Sequence, residues 1–166
     1  MEEVPRVDEV RIVQADLSDP VHAEAVRELT SAYSMDEMGN GKPLPADVLE
    51  RLIPALRAHP TTVIFLAYSG PQAVGIATCF IGFSTFAARE LINIHDLAVL
   101  GTHRGRGVGR ALLKAVEDYA RRRGCVKVTL EVLENNPART LYEAAGFKQM
   151  DYNTAAGSAL FYTKKL

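Results

Sequence analysis

Between Val108 and Val132 the chain changes from helical to strand periodicity within a few residues, and that change narrows the folds open to it. Val108, Ala111, Leu112, Ala115, Val116, Tyr119 and Ala120 follow an i, i+3, i+4, i+7 pattern. Such spacing lines one face of a helix with apolar side chains. Gly124 follows where a left-handed C-terminal cap is needed, and Arg121, Arg122 and Arg123 before it complement the negative end of the helix dipole. Val126, Val128, Leu130 and Val132 then alternate with Lys127, Thr129 and Glu131, the pattern of a strand with one apolar face. Asn136 and Pro137 can open a further helix carrying Ala138, Leu141, Tyr142 and Ala145, with Gly146 as its stop. Residues 91–99 precede this run as a strand, so a strand, helix, strand, helix unit sits in a mixed sheet.

The flanking sequence supplies the remaining elements. Residues 10–13 form a short strand, and Asp19 with Pro20 offers an N-cap and first-turn proline for a helix bearing Ala23, Val26, Leu29 and Tyr33. Residues 34–44, SMDEMGNGKPL, are glycine-rich and polar and predict a loop able to act as a lid. Leu49, Leu52, Ile53 and Leu56 recur at helical spacing, with Pro54 expected to kink or end that helix. Residues 63–68 and 73–80 flank SGPQ and read as an antiparallel hairpin, and a last hairpin is expected to end at residues 160–166.

At 166 residues, with 48% hydrophobic and 23% charged residues, the chain is the size and composition of one soluble domain, expected to span 1–166. No apolar run is long enough for a membrane span, and MEEVPRVDEV lacks the features of a secretory signal, so a cytoplasmic location is expected. A net charge of −1 argues against broad nucleic-acid binding. Cys79 and Cys125 lie far apart in apolar surroundings and read as buried free thiols, with no metal site expected.

The stretch HRGRGVGRALL, residues 103–113, carries Gly105, Gly107 and Gly109 just ahead of the long helix. Helix starts expose backbone N–H groups and partial positive charge, and glycines let an anion approach them closely. Arg104, Arg106 and Arg110 add formal charge that suits a diphosphate better than one carboxylate. A P-loop is excluded, because no Gly-Lys followed by Ser or Thr is present. The dinucleotide fingerprint G-x-G-x-x-G fails at Arg110, no second nucleotide-binding half exists, and Glu131 is expected inside its strand rather than at the strand's end.

Three linked motifs carry a resemblance. LAV (Leu97, Ala98, Val99) on a strand, R-x-x-G-x-G (Arg104, Gly107, Gly109), and N-x-x-A-x-x-x-Y-x-x-x-G-F (Asn135, Ala138, Tyr142, Gly146, Phe147) together resemble the GNAT N-acetyltransferase family. The likeness is close over residues 91–147 and extends elsewhere only in element order. It implies an α/β (α+β) GNAT fold, with a mixed central sheet of about six to seven strands flanked by about four helices. Two splayed parallel strands would form the cleft for acetyl-CoA. The backbone of Leu97, Ala98 and Val99 would pair with the pantetheine arm, and the amides of Arg104, Gly105, Arg106, Gly107, Val108, Gly109 and Arg110 would hold the pyrophosphate. Asn135 would contact pantetheine, although an asparagine there can equally cap a helix, with Asn136 as the competing cap; Ala138 belongs to the same motif.

The reaction implied is direct acetyl transfer from the CoA thioester to a primary amine of a small molecule or peptide, without a covalent enzyme intermediate. The amine must be neutral, the oxyanion needs a donor such as the Leu97 N–H, and the thiolate leaving group wants a proton. The resemblance gives the last task to Tyr142, which on periodicity alone is equally a core residue. His95 matches a histidine of some small-amine acetyltransferases, and histidine ordinarily titrates near ~6.5. Asp96 is the rival base, and water a third. Strand alternation puts Asn93, His95 and Leu97 on one face and Ile94, Asp96 and Ala98 on the other. Tyr33, Asp36, Glu37, Phe80, Phe83 and Phe86 are candidate acceptor linings, and aromatic and acidic groups together favour a cationic amine. A homodimer is compatible with the sequence; a non-catalytic acyl-CoA-binding module and, behind it, a dinucleotide-dependent oxidoreductase are the alternatives.

Overall fold

The computed structural model describes residues 10–150, 155, 157 and 159–166. The chain divides into two compact units, Met1–Asn136 and Pro137–Leu166. The first unit holds β1 (Val10–Gln14), α1 (Pro20–Met35), α2 (Ala46–Ala58), β2 (Thr62–Ser69), β3 (Gln72–Ser84), β4 (Arg89–Val99), α3 (Val108–Arg123) and β5 (Val128–Leu130). The second holds α4 (Arg139–Ala144). Five strands form one sheet in the order β1-β2-β3-β4-β5. Every pairing is antiparallel except that of β4 with β5.

Local chemistry accounts for the helix ends. The Asp19 carboxylate accepts the Val21 N–H at 2.8 Å, and Pro20 fills the first helical position. At the far end of α3, Gly124 caps in the left-handed conformation, with φ 78°. There Arg121 pairs with Glu117 and Asp118, while Arg123 clamps Glu90 at 2.7 Å.

The two faces of the sheet are covered separately. Ala25, Val26 and Leu29 of α1 pack with Ile64, Leu66, Tyr68 and Ile76, and Ala98 joins this cluster. On the opposite face α3 buries Val108, Leu112, Leu113, Val116 and Ala120. Gly75 permits that approach, since a Cβ there would stand 3.1 Å from both Val108 Cγ1 and Leu112 Cδ1.

Several elements depart from expectation. The sheet has five strands among the described residues rather than six to seven. Residues 159–166 carry no strand, and any strand within 151–154 would lie outside the described residues. Pro54 does not end α2, which continues to Ala58. The helix has no buried residue, so water can satisfy the carbonyl that the missing N–H leaves behind. The predicted strand over 126–132 shrinks to β5, because its pairing with β4 stops at Leu130. Glu131 therefore stands just past the strand, not within it. Neither Asn135 nor Asn136 caps α4; Ala138 holds that position without a side-chain bond. No helix among the described residues is long and apolar enough to cross a membrane.

Candidate active site

The decisive irregularity lies in β4. Thr78 opposes Asp96 and Cys79 opposes Ile94, so His95 has no partner of its own on β3 and the strand bulges there. Simple alternation fails across a bulge. Residues opposed on adjacent strands share a face. Phe80 opposes Asn93, Thr78 opposes Asp96 and Ile76 opposes Ala98. Ile76 and Ala98 lie in the α1 cluster, so Asn93, Asp96 and Ala98 face α1, whereas Ile94 and Leu97 turn to the α3 face. His95 joins the α1 side, with its ring edge-on to Phe80 at 5.5 Å. The two rival bases, expected on opposite faces, are thus brought to the same one.

The charges there are unevenly solvated. His95 is exposed, while Asp96 is partly buried. Burial lifts the Asp96 carboxyl above the usual carboxylate range, and neighbouring His95 opposes that rise. Tyr33 is also raised, first by burial and then by the charges of Asp96 and Asp36. Burial, with a contribution from Asp96, pushes the Cys79 thiol up to about 12, which makes it inert as a nucleophile at neutral pH. Phe80 sits between two histidine edges, His95 on one side and His59 at 5.3 Å on the other. His59 Nε2 in turn lies 3.0 Å from Thr61 Oγ1. Among the expected acceptor linings, Phe80 shares the face of Asp96, and Tyr33 feels the charges of both Asp96 and Asp36. Phe83 falls on the opposite face of β3 and is 61% exposed, Phe86 lies fully exposed in the β3–β4 turn, and Glu37 is exposed.

Past the bulge β4 and β5 separate. Their parallel pairing runs from Ile92 and Val128 to Ile94 and Leu130, and Asn93 Nδ2 donates to Thr129 Oγ1 at 3.0 Å near its end. From His95 to Val99 the β5 side of β4 has no strand partner among the described residues. The chain then passes through a short 3₁₀ turn, Gly101–His103, and enters α3 through Gly105 (φ 72°) and Gly107 (φ 83°). These left-handed conformations explain why glycine stands at both positions. Gly107 O accepts from Ala111 N–H at 3.0 Å, so the N–H groups of Val108, Gly109 and Arg110 precede the helical ladder. No acidic side chain occupies the first turn. Arg106 and Arg110 stand beside this positive end.

The Arg104 side chain is bonded to two other parts of the chain. Its Nε donates to the Val99 carbonyl at 3.0 Å and its Nη2 to Asp36 Oδ2 at 2.6 Å. That guanidinium, with the Met38 N–H, holds the Asp36 carboxyl below its ordinary range. Sequence reading missed this pairing, as it missed His59 and the bulge. The two partners lie 68 residues apart, and no motif links them.

In the second unit, the Tyr142 ring packs at 6.1 Å against Phe147, and Tyr142 is buried. Gly146, at φ 93°, turns the chain between them, which explains the G-F ending of that motif. Asn135, at the end of the first unit, is exposed.

Comparison with known proteins adds three findings. The model of the acetyltransferase (GNAT) family matches residues 24–147. A thialysine N-epsilon-acetyltransferase of Bos taurus is 34% identical over 82 residues, covering 49% of this chain and 48% of that protein. The chain spans at most about half the length of the curated relatives it matches. Among solved structures, a probable acetyltransferase superposes with a TM-score of 0.78 at 21% identity, over 93% of this chain and 99% of the other. An aminoglycoside N-acetyltransferase in complex with CoA gives 0.72 at 20% identity, over 95% of each chain. At these identities the likeness is one of fold.

Proposed function

Because the chain belongs to the acetyltransferase (GNAT) family, which its match over residues 24–147 establishes, we propose that it is an acetyl-CoA-dependent N-acetyltransferase. It moves the acetyl group directly onto a primary amine of a small molecule or peptide. The family match, residues 24–147, includes residues of both units. The observation that carries the reading is the bulged end of β4. Residues 95–99 have no β5 partner among the described residues and lead, through the Gly101–His103 turn, to the glycines at the start of α3.

An edge of this kind offers backbone donors and acceptors to the amides of pantetheine, in the manner of an added strand. Leu97, Ala98 and Val99 supply that edge. Pyrophosphate, held by the amides of residues 104–110 and by the charges of Arg106 and Arg110, suits the start of α3. When bound, CoA supplies the activated acetyl thioester. Asn135 and Ala138 are assigned to pantetheine contacts on the family motif.

The chain's own groups divide the remaining tasks. Asp96 takes the proton from the attacking amine, and burial, which raises its pKa, strengthens it as a base. Its negative charge, with the aromatic rings of Tyr33 and Phe80, favours approach of the amine as a cation. His95, exposed beside it, passes that proton to water. A backbone N–H just past the bulge, that of Leu97, donates to the oxyanion. Tyr142 protonates the departing CoA thiolate, a role assigned from the family motif.

Two measurements test the reading. Calorimetric titration with acetyl-CoA is expected to show one site per chain, and no binding would refute it. Tyr142→Phe is expected to lower kcat by about 10²-fold while leaving the Kd for acetyl-CoA unchanged, as removal of a general acid requires. An unchanged kcat would assign Tyr142 to the core alone.

A further inference from the structure

We propose that the Arg104 side chain is a latch that positions the α1–α2 loop on the acceptor side, and that it is not a phosphate ligand. The proposal rests on the acetyl-transfer reading for its kinetic consequence and on geometry for the latch itself. The guanidinium spans two elements, donating through Nε to the last carbonyl of β4 at Val99 and through Nη2 to Asp36 just beyond α1. Both donors converge on acceptors that fit the fixed fork of arginine; the ammonium of lysine could not hold them in the same geometry.

What Asp36 organises is the loop itself. Its Oδ1 accepts the Met38 N–H at 2.9 Å, while its backbone carbonyl accepts Gly39 N–H at 2.9 Å and Gly41 N–H at 3.1 Å. The Ser34 carbonyl accepts Asn40 N–H at 3.2 Å and Lys42 N–H at 3.1 Å. Gly39 lies so close to α1 that a Cβ there would come within 2.2 Å of the Tyr33 carbonyl oxygen. The Tyr33 hydroxyl donates to the Met38 carbonyl at 3.4 Å. Tyr33 of α1 feels the Asp96 charge, so this hydroxyl bond ties the loop to a side chain neighbouring the proposed base.

An ion pair this exposed adds little to global stability. Its consequence is local: without Arg104 the Asp36 carboxylate, and with it the loop, loses its tie to β4. The prediction is therefore a change in acceptor recognition with cofactor affinity preserved. A side chain that instead reached the pyrophosphate would show the opposite pattern.

The test is a cycle of Asp36→Ala, Arg104→Ala and the double variant, read in two ways. In hydrogen exchange, the amides of Gly39, Asn40, Gly41 and Lys42 are expected to exchange about tenfold faster in all three variants than in the wild type, as loss of one charge-assisted bond implies. Addition of CoA should leave the wild-type rates slow. In steady-state kinetics with the amine that the wild type acetylates fastest, KM for that amine should rise about tenfold in each variant. The double variant should fall well short of the sum of the two single effects, because both single variants remove the Arg104–Asp36 link. The Kd for acetyl-CoA should stay within about twofold of wild type. Additive effects, unchanged exchange, or CoA-induced loosening of the four amides, as when Arg104 leaves Asp36 for phosphate, would each overturn the latch. A wild type that acetylates no amine would overturn the activity instead, and the exchange experiment would still decide the latch.

Discussion

Replacing Asp96 with asparagine is expected to lower kcat/KM for acetyl transfer by about 10²- to 10⁴-fold, the usual contribution of a positioned general base. The same change should raise thermal stability at neutral pH. The sign follows from burial. The carboxyl's pKa is raised in the folded protein, so the neutral form is the one the fold accommodates. Its stabilising contribution is fully present below the unfolded-state value, about 3.9, and is lost as pH rises through the higher folded value. Asparagine never ionises and keeps that contribution. Melting curves from acid to neutral pH should therefore converge for the two proteins at low pH and separate, with the variant higher, towards neutrality. The pH–rate profile should lose its acidic limb in the variant. If Asp96→Asn keeps the wild-type rate and acidic limb, His95 or water takes over the role, and His95→Ala identifies which.

A comparably large effect is expected at the entrance to α3. Gly107 has φ 83° and ψ 3° at the cap position, where a β-branched residue is strained by about 1–3 kcal/mol. Gly107→Val should relieve that strain by moving the first turn, which carries the N–H groups of Val108, Gly109 and Arg110. Affinity for acetyl-CoA should then fall by about 10- to 100-fold. Gly70, with φ 56° in the β2–β3 turn, provides the control. Gly70→Val carries the same type of backbone strain without touching the loop. Calorimetry should show near-normal cofactor binding for Gly70→Val and a large loss for Gly107→Val. Equal binding by both variants would remove the glycine turn from the cofactor site.

What could be read from the sequence, and what could not, divides along the range of the interactions involved. Asp19 with Pro20, the stripe from Val108 to Ala120, and Gly124 are local signals, and each marks the element or boundary it predicts. The turn at Gly105 and Gly107 was legible for the same reason, because few residues besides glycine adopt that backbone. Strand limits were less so. Val126 and Val132 have strand periodicity, yet β5 ends at Leu130 because β4 moves away, and a partner's path leaves no mark on the strand itself. The bulge at His95 is the most consequential omission. One extra residue shifts every later side chain to the other face, and nothing in INIHDLAV distinguishes a bulged strand from a regular one. Arg104 and Asp36 meet only in three dimensions.

Acetyl transfer from CoA to an amine frees one CoA thiol per turnover, and that thiol is the direct readout of the reaction. The protein would be incubated with acetyl-CoA and a panel containing thialysine, an aminoglycoside and a peptide with a free N-terminus. Thiol release would be followed by absorbance and the acylated product by mass. The expected result is acceptor-dependent thiol release with a matching mass gain of one acetyl group on at least one amine, slowed by about 10²- to 10⁴-fold in Asp96→Asn. Binding of acetyl-CoA without thiol release, across a panel broadened to polyamines and lysine-bearing peptides, would contradict the account and make the chain an acyl-CoA-binding module.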